Sequence, residues 1–119
     1  MSLSVNVFTR DETGKIIIHD AHDQSQELAG FEVFRKTFYG GPMALSLGLS
    51  LLPVLAERDL YVEGDDLGRL QEEAKLVLRN VVSFARAAAA DSEVLRLRAQ
   101  NILDATERAK KAGGGVVIW

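Results

Sequence analysis

Twenty consecutive residues, 37–56, carry no charged side chain. About that many apolar residues are needed to cross a bilayer as a helix, so this stretch constrains the fold more than any other. Its composition argues against a span. Gly40, Gly41, Pro42, Ser46, Gly48, Ser50 and Pro53 dilute and interrupt it, and a proline inside a helix removes a hydrogen bond and clashes with the preceding turn. The reading that follows is a core helix over residues 43–55, started at Pro42 and kinked or divided at Pro53. Met43, Leu45, Leu47, Leu49, Leu51, Leu52, Val54 and Leu55 cover its whole circumference, so it is expected to be surrounded by protein on all sides.

Burying such an element takes partners from the rest of the chain. At 119 residues, 47% hydrophobic and 26% charged, the chain has the size of one domain and lacks the composition of a disordered segment. No linker, repeat or shift in composition divides it, so residues 1–119 are read as a single domain. Leu3, Val5 and Val7 alternate with Ser4, Asn6 and Phe8, which predicts a strand with one buried face. Asp11, Glu12, Thr13 and Gly14 supply a turn, and Ile16, Ile17 and Ile18 complete a hairpin. Being apolar on both faces, this second strand is expected to be central or covered. Asp23 stands three residues before Gln26 and suits a helix cap; Leu28, Phe31, Phe34 and Phe38 follow at helical spacing as far as Gly40.

The second half reads as two long helices. Residues 57–66 form a polar connection in which Asp65 can cap a helix whose stripe is Leu67, Leu70, Ala74, Val77, Leu78, Val81 and Ala85. A turn near Asp91 offers a fresh cap, and the last helix turns Leu95, Ile102, Ala105, Ala109 and Ala112 inward before ending at Gly113. Arg98 and Asn101 lie one turn apart beside that stripe and are expected to hydrogen-bond the neighbouring chain. Val116, Val117 and Ile118 form a closing strand, and Trp119 is expected to seal the core edge, with an exposed aromatic anchor for a partner as the alternative. The predicted fold class is α+β, a three-stranded and mainly antiparallel sheet (N-terminal hairpin plus C-terminal strand) packed by three to four helices.

A net charge of −3, with the lysines and arginines dispersed along helices, lacks the basic patch that nucleic-acid or anionic-membrane binding requires. Cysteine is absent, which removes disulfides, thiol nucleophiles and cysteine-ligated zinc. The first residues, Met1 to Val5, show neither the basic stretch nor the apolar region of an export signal, and a cytoplasmic location is expected. Gly113, Gly114 and Gly115 follow a helix, whereas a phosphate-binding loop precedes one. No cofactor is expected.

Two polar segments are left as candidate sites. His19, Asp20, His22 and Asp23 are metal-ligand and acid–base residue types, but successive side chains at a strand end diverge. No metal site is assigned; His19, His22 and Asp23 come nearest to one. Glu57, Asp59, Glu63, Asp65 and Asp66 gather around one loop without the oxygen spacing of a calcium-binding loop. These five are the residues expected to meet a protein partner with a basic surface, where complementary charge speeds encounter and enforces specificity.

The order Leu52-Pro53-x-Leu55, then Tyr61-x-x-Gly64-x-x-Leu67-x-x-Leu70-x-x-Glu73, then Arg98-x-x-Asn101-Ile102 and Gly113-Gly114-Gly115-Val116 resembles small uncharacterised bacterial single-domain proteins. Some of those are similar to immunity proteins that neutralise polymorphic toxins. The resemblance covers roughly residues 50–119 and transfers no functional residue. Together with the missing catalytic constellation it implies a non-catalytic protein-binding domain, with toxin neutralisation as one form of that role. The alternative is a small-ligand or metal-dependent enzyme using residues 19–23. A third reading is a homodimer formed through residues 43–55 or through an unpaired strand edge.

Overall fold

The computed structural model describes residues 2–119. The N-terminal alternation forms β1 (Ser2–Arg10), and Asp11 then builds the turn: its Oδ1 accepts from Thr13 N, Thr13 Oγ1 and Lys15 N at 2.8, 2.7 and 3.0 Å. β2 (Ile16–His19) returns antiparallel to β1. The C-terminal strand β5 (Gly115–Ile118) pairs along the other edge of β1, with Val5 opposite Ile118 and Val7 opposite Val116.

The α+β class is as the sequence predicts, but the sheet has five strands, all antiparallel. β3 (Leu28–Phe31) pairs with the first residues of β1, where a helix was expected. Asp23 does cap a turn, accepting from Ser25 N at 2.9 Å, but that turn is a short 3₁₀ segment, Gln24–Glu27. Gly30 decides the rest. It sits at φ +122°, outside any helix, and the Phe34 ring lies 2.3 Å from where its Cβ would be. β4 (Leu60–Glu63) pairs with β5 inside the segment read as a polar connection. The order β2-β1-β5-β4 makes β1 central and β2 an edge. The expectation that β2 is central or covered is therefore wrong: Ile17 is 44% exposed, since a hairpin strand with no further neighbour has one side open to water.

The uncharged stretch starts a helix at Pro42 and is divided, both as expected, but the break comes before Pro53: α1 (Pro42–Ser46) and a 3₁₀ turn, Leu52–Ala56, are separated by Gly48 at φ +80°, and Pro53 sits in the first turn of the second piece. The stretch is not enclosed on all sides. Ala44, Leu49, Leu52 and Leu55 enter the core, while Leu45 is 60% exposed, because a fold of this size has core volume for only one side of the segment. Among the described residues, no helix is long and apolar enough to cross a membrane. The long helix expected to run from Asp65 to the turn near Asp91 is two helices, α2 (Asp66–Arg79) and α3 (Val81–Ala88). Asn80 breaks it by turning its Nδ2 onto the Leu76 carbonyl at 2.8 Å, a bond that competes with helix continuation. α4 (Ser92–Ala112) begins at Asp91, whose carboxylate accepts from Glu93 N at 2.8 Å, and ends at Gly113 in the left-handed region. Ala112, expected to face inward, is exposed.

Leu3, Val5, Val7, Leu60, Val62, Val116 and Ile118 line one face of the sheet and join buried residues of all four helices in one hydrophobic cluster. Alternation sends Asn6, Phe8, Tyr61, Val117 and Trp119 to the other face. Phe8 and Val117 are buried there, yet they lie outside that cluster. Side chains rather than helices cover them.

Candidate functional site

The polar loop around β4 is held from outside by three arginines. Arg10 on β1 reaches across Gly115 to Glu63, with Nε 3.1 Å from both carboxylate oxygens and Nη2 2.9 Å from Oε1. This bidentate bond holds the Glu63 carboxyl below the usual carboxylate range. Arg35 spans Glu32 at 2.5 Å and Asp59 at 2.6 Å while donating to the carbonyls of Leu55 and Arg58. Arg69 pairs with Asp66 at 3.3 Å. Of the five carboxylates expected to face a partner, Asp59, Glu63 and Asp66 are thus paired within the chain. Among the described residues Glu57 and Asp65 make no salt bridge, and they flank β4, one before it and one after. Asp65 does not cap α2 as expected: its backbone is already helical, so its side chain is not aimed at the first N–H groups.

The face of the sheet beside this loop is aromatic. Phe8 and Tyr61 meet edge to face at 6.2 Å, and the Arg10 guanidinium lies 5.6 Å from the Phe8 ring centre. Gly115 makes room for this: a Cβ there would stand 2.6 Å from Phe8 Cζ and 2.4 Å from the Val62 carbonyl oxygen. Trp119, expected to seal the core edge, lies on this outer face instead. Its Nε1 donates to Asn6 Oδ1 at 3.0 Å, and Asn6 Nδ2 donates to Glu27 at 3.1 Å. Its ring remains 39% exposed, and Tyr61 is 50% exposed. The pairing of β4 with β5 places Tyr61 opposite Val117, two residues from Trp119.

β4 has a neighbour on one side only. Beside it, between β4 and the turn Leu52–Ala56, lies a groove of 530 Å³ lined by Leu51, Val54, Arg58, Asp59, Leu60 and Tyr61. The start of that turn is tied to α2 by Glu73. That carboxylate is 7% exposed and accepts from Ser50 N at 2.9 Å, Leu51 N at 3.0 Å, Leu52 N at 2.9 Å and Ser50 Oγ at 3.3 Å. The sequence reading met Glu73 only as a motif position and gave it no role, although a signal for one exists. It lies three residues after Leu70 and four before Val77, so it falls on the apolar stripe of its helix.

The residues of the other polar segment do not converge. His19 Nε2 lies 2.7 Å from Thr9 Oγ1 across the hairpin, His22 is exposed, and Asp23 is engaged as the cap of the turn, which holds its carboxyl below the usual range. Among the described residues no three histidine, cysteine or acidic side chains group so as to hold a metal. Asn101, by contrast, does what its position suggests, donating to the carbonyls of Ser25 and Leu28 at 2.9 and 2.8 Å and tying β3 to α4.

No protein-family model, curated protein or solved structure matches this chain.

Proposed function

We propose that this chain is a non-catalytic protein-binding domain whose partner docks on the side formed by β4, the outer aromatic face and the flanking carboxylates. One observation carries the reading: Tyr61 stands half-exposed in the middle of an edge strand with one free side, between a groove and Trp119. Amphipathic aromatics in such positions supply large contact area at little entropic cost and dominate many interfaces. Glu57 and Asp65 supply long-range attraction for a partner with a basic surface. Neutralisation of a toxin, which the resemblance of residues 50–119 suggests, is one role that such a surface serves.

The test is retention of a partner from lysate of the source organism by the immobilised chain at low salt, where exposed charges act furthest. The parent and the double variant Glu57→Lys/Asp65→Lys are compared, with Glu107→Lys on α4 as control. A partner held by the parent and the control but lost from the double variant supports the reading. No retained partner, or equal retention by all three, overturns it.

A further inference from the structure

We infer that the partner binds by strand addition: an extended segment of another polypeptide, alternating apolar and basic residues, pairs antiparallel with the free edge of β4. This rests on the protein-binding reading above and specifies its mode. An edge strand presents alternate backbone N–H and C=O groups outward at the spacing of a strand, so the surface itself dictates the conformation of what covers it. Four-residue β4 is short, but it is continued on each face. Leu60 and Val62 point to the core side and Tyr61 and Glu63 to the outer side, by the register with β5. Apolar side chains of an added strand would enter the groove between Leu60, Leu51 and Val54. Its alternate residues would lie beside Tyr61 on the outer face.

Charge decides what kind of strand fits. Of the five carboxylates in residues 57–66, Asp59, Glu63 and Asp66 are held by Arg35, Arg10 and Arg69, whereas Glu57 before β4 and Asp65 beyond its C-terminal end have no salt bridge among the described residues. A second copy of this chain gains nothing at these carboxylates: antiparallel pairing of two β4 strands with their cores on one side, centred on Val62, sets Asp65 opposite Asp59 of the second copy and brings no cation to it. A lysine or arginine beside Asp65 meets a carboxylate with no salt bridge of its own.

The probe is a short fluorescein-labelled peptide alternating lysine and valine, with two controls: the same peptide with N-methylated backbone amides, and one of equal composition with lysines and valines in separate blocks. Anisotropy should show saturable binding of the alternating peptide and at least about tenfold weaker binding of both controls, since the ladder bonds and the alternation are what it uses. Amide resonances of residues 60–63 should shift. Val54→Trp, which fills the groove, and Tyr61→Lys, which sets a cation beside the added basic strand, should each weaken binding by about tenfold, and the parent's circular dichroism spectrum checks that each variant keeps the fold. Absence of saturable binding, equal binding of the N-methylated peptide, or shifts confined to another surface overturns strand addition. So does concentration-dependent dimerisation of the chain alone that the peptide does not reverse. If the peptide fails while the double-variant retention test succeeds, strand addition falls and protein binding stands; if both fail, both fall.

Discussion

Replacing Glu73 tests the least expected element of the fold. Its two oxygens take four donors from Ser50, Leu51 and Leu52 at the start of the 3₁₀ turn, and Arg69 donates to the same Ser50 hydroxyl. Ser50 is exposed, so water replaces its bonds when the carboxylate is removed; Leu52 is buried and Leu51 half-buried, so their N–H groups have no such substitute. Leaving a buried donor unsatisfied costs ~1–3 kcal/mol, which puts Glu73→Ala at ~2–6 kcal/mol for the two amides. Glu73→Gln is the more informative change. It preserves shape but turns one acceptor into an NH₂ donor facing Ser50 N and Leu51 N, so it should cost ~2–3 kcal/mol rather than little. For a domain of this size that is a fall of roughly 8–12 °C in Tm. Circular dichroism melts and urea titration read the stability, and hydrogen exchange reads the site: the amides of Leu51 and Leu52 should lose protection in both variants. A Glu73→Gln protein within ~0.5 kcal/mol of the parent, with these amides still protected, would refute the capping role, because surface-like substitutions fall in that range.

Three further outcomes follow from the geometry. Gly115→Ala should destabilise the sheet by ~2 kcal/mol or more in urea titration, because its Cβ would overlap the Val62 carbonyl and the Phe8 ring; a neutral effect would mean that β4 and β5 lie further apart. The carboxyls of Glu63, Asp11 and Asp23 are held low, by the Arg10 bond, the Thr13 hydroxyl and the Ser25 N–H respectively. Their stabilisation is therefore complete above the unfolded values near about 4 and is lost as pH falls through the folded ones. Tm should drop below about pH 4, less steeply in Arg10→Met, and an unchanged slope in that variant would contradict the pairing. Zinc or manganese at millimolar concentration should leave Tm unmoved, since His19, His22 and Asp23 do not converge; a rise would reveal a native-state ligand set.

What could be read in the sequence was what local periodicity controls. β1, the turn at Asp11, α2 and α4 announce themselves because alternation, capping side chains and the apolar stripe act within a few residues. β3 did not, since Leu28, Phe31, Phe34 and Phe38 fit a helix repeat and only the contact between Gly30 and Phe34 selects a strand. β4 was hidden because three apolar residues between acidic ones look like a loop until β5, more than fifty positions away, provides the ladder. Division of the uncharged stretch was legible from Pro53, but the bonds that Glu73 makes to Ser50, Leu51 and Leu52 from more than twenty positions away were not. The acidic loop was visible as composition, but its pairing with Arg10, Arg35 and Arg69 was not, and that pairing leaves only Glu57 and Asp65 without a salt bridge. The outer aromatic face depends on the parity of three strands at once, which no single segment displays.

The most direct test of the docking surface is photo-cross-linking with p-benzoylphenylalanine in place of Tyr61, compared with the same residue in place of Val82, which is exposed on α3. In cells of the source organism, irradiation should join the Tyr61 position to one discrete polypeptide and the Val82 position to none. The same adduct at both positions, or an adduct at Val82 alone, would contradict a partner docked on β4.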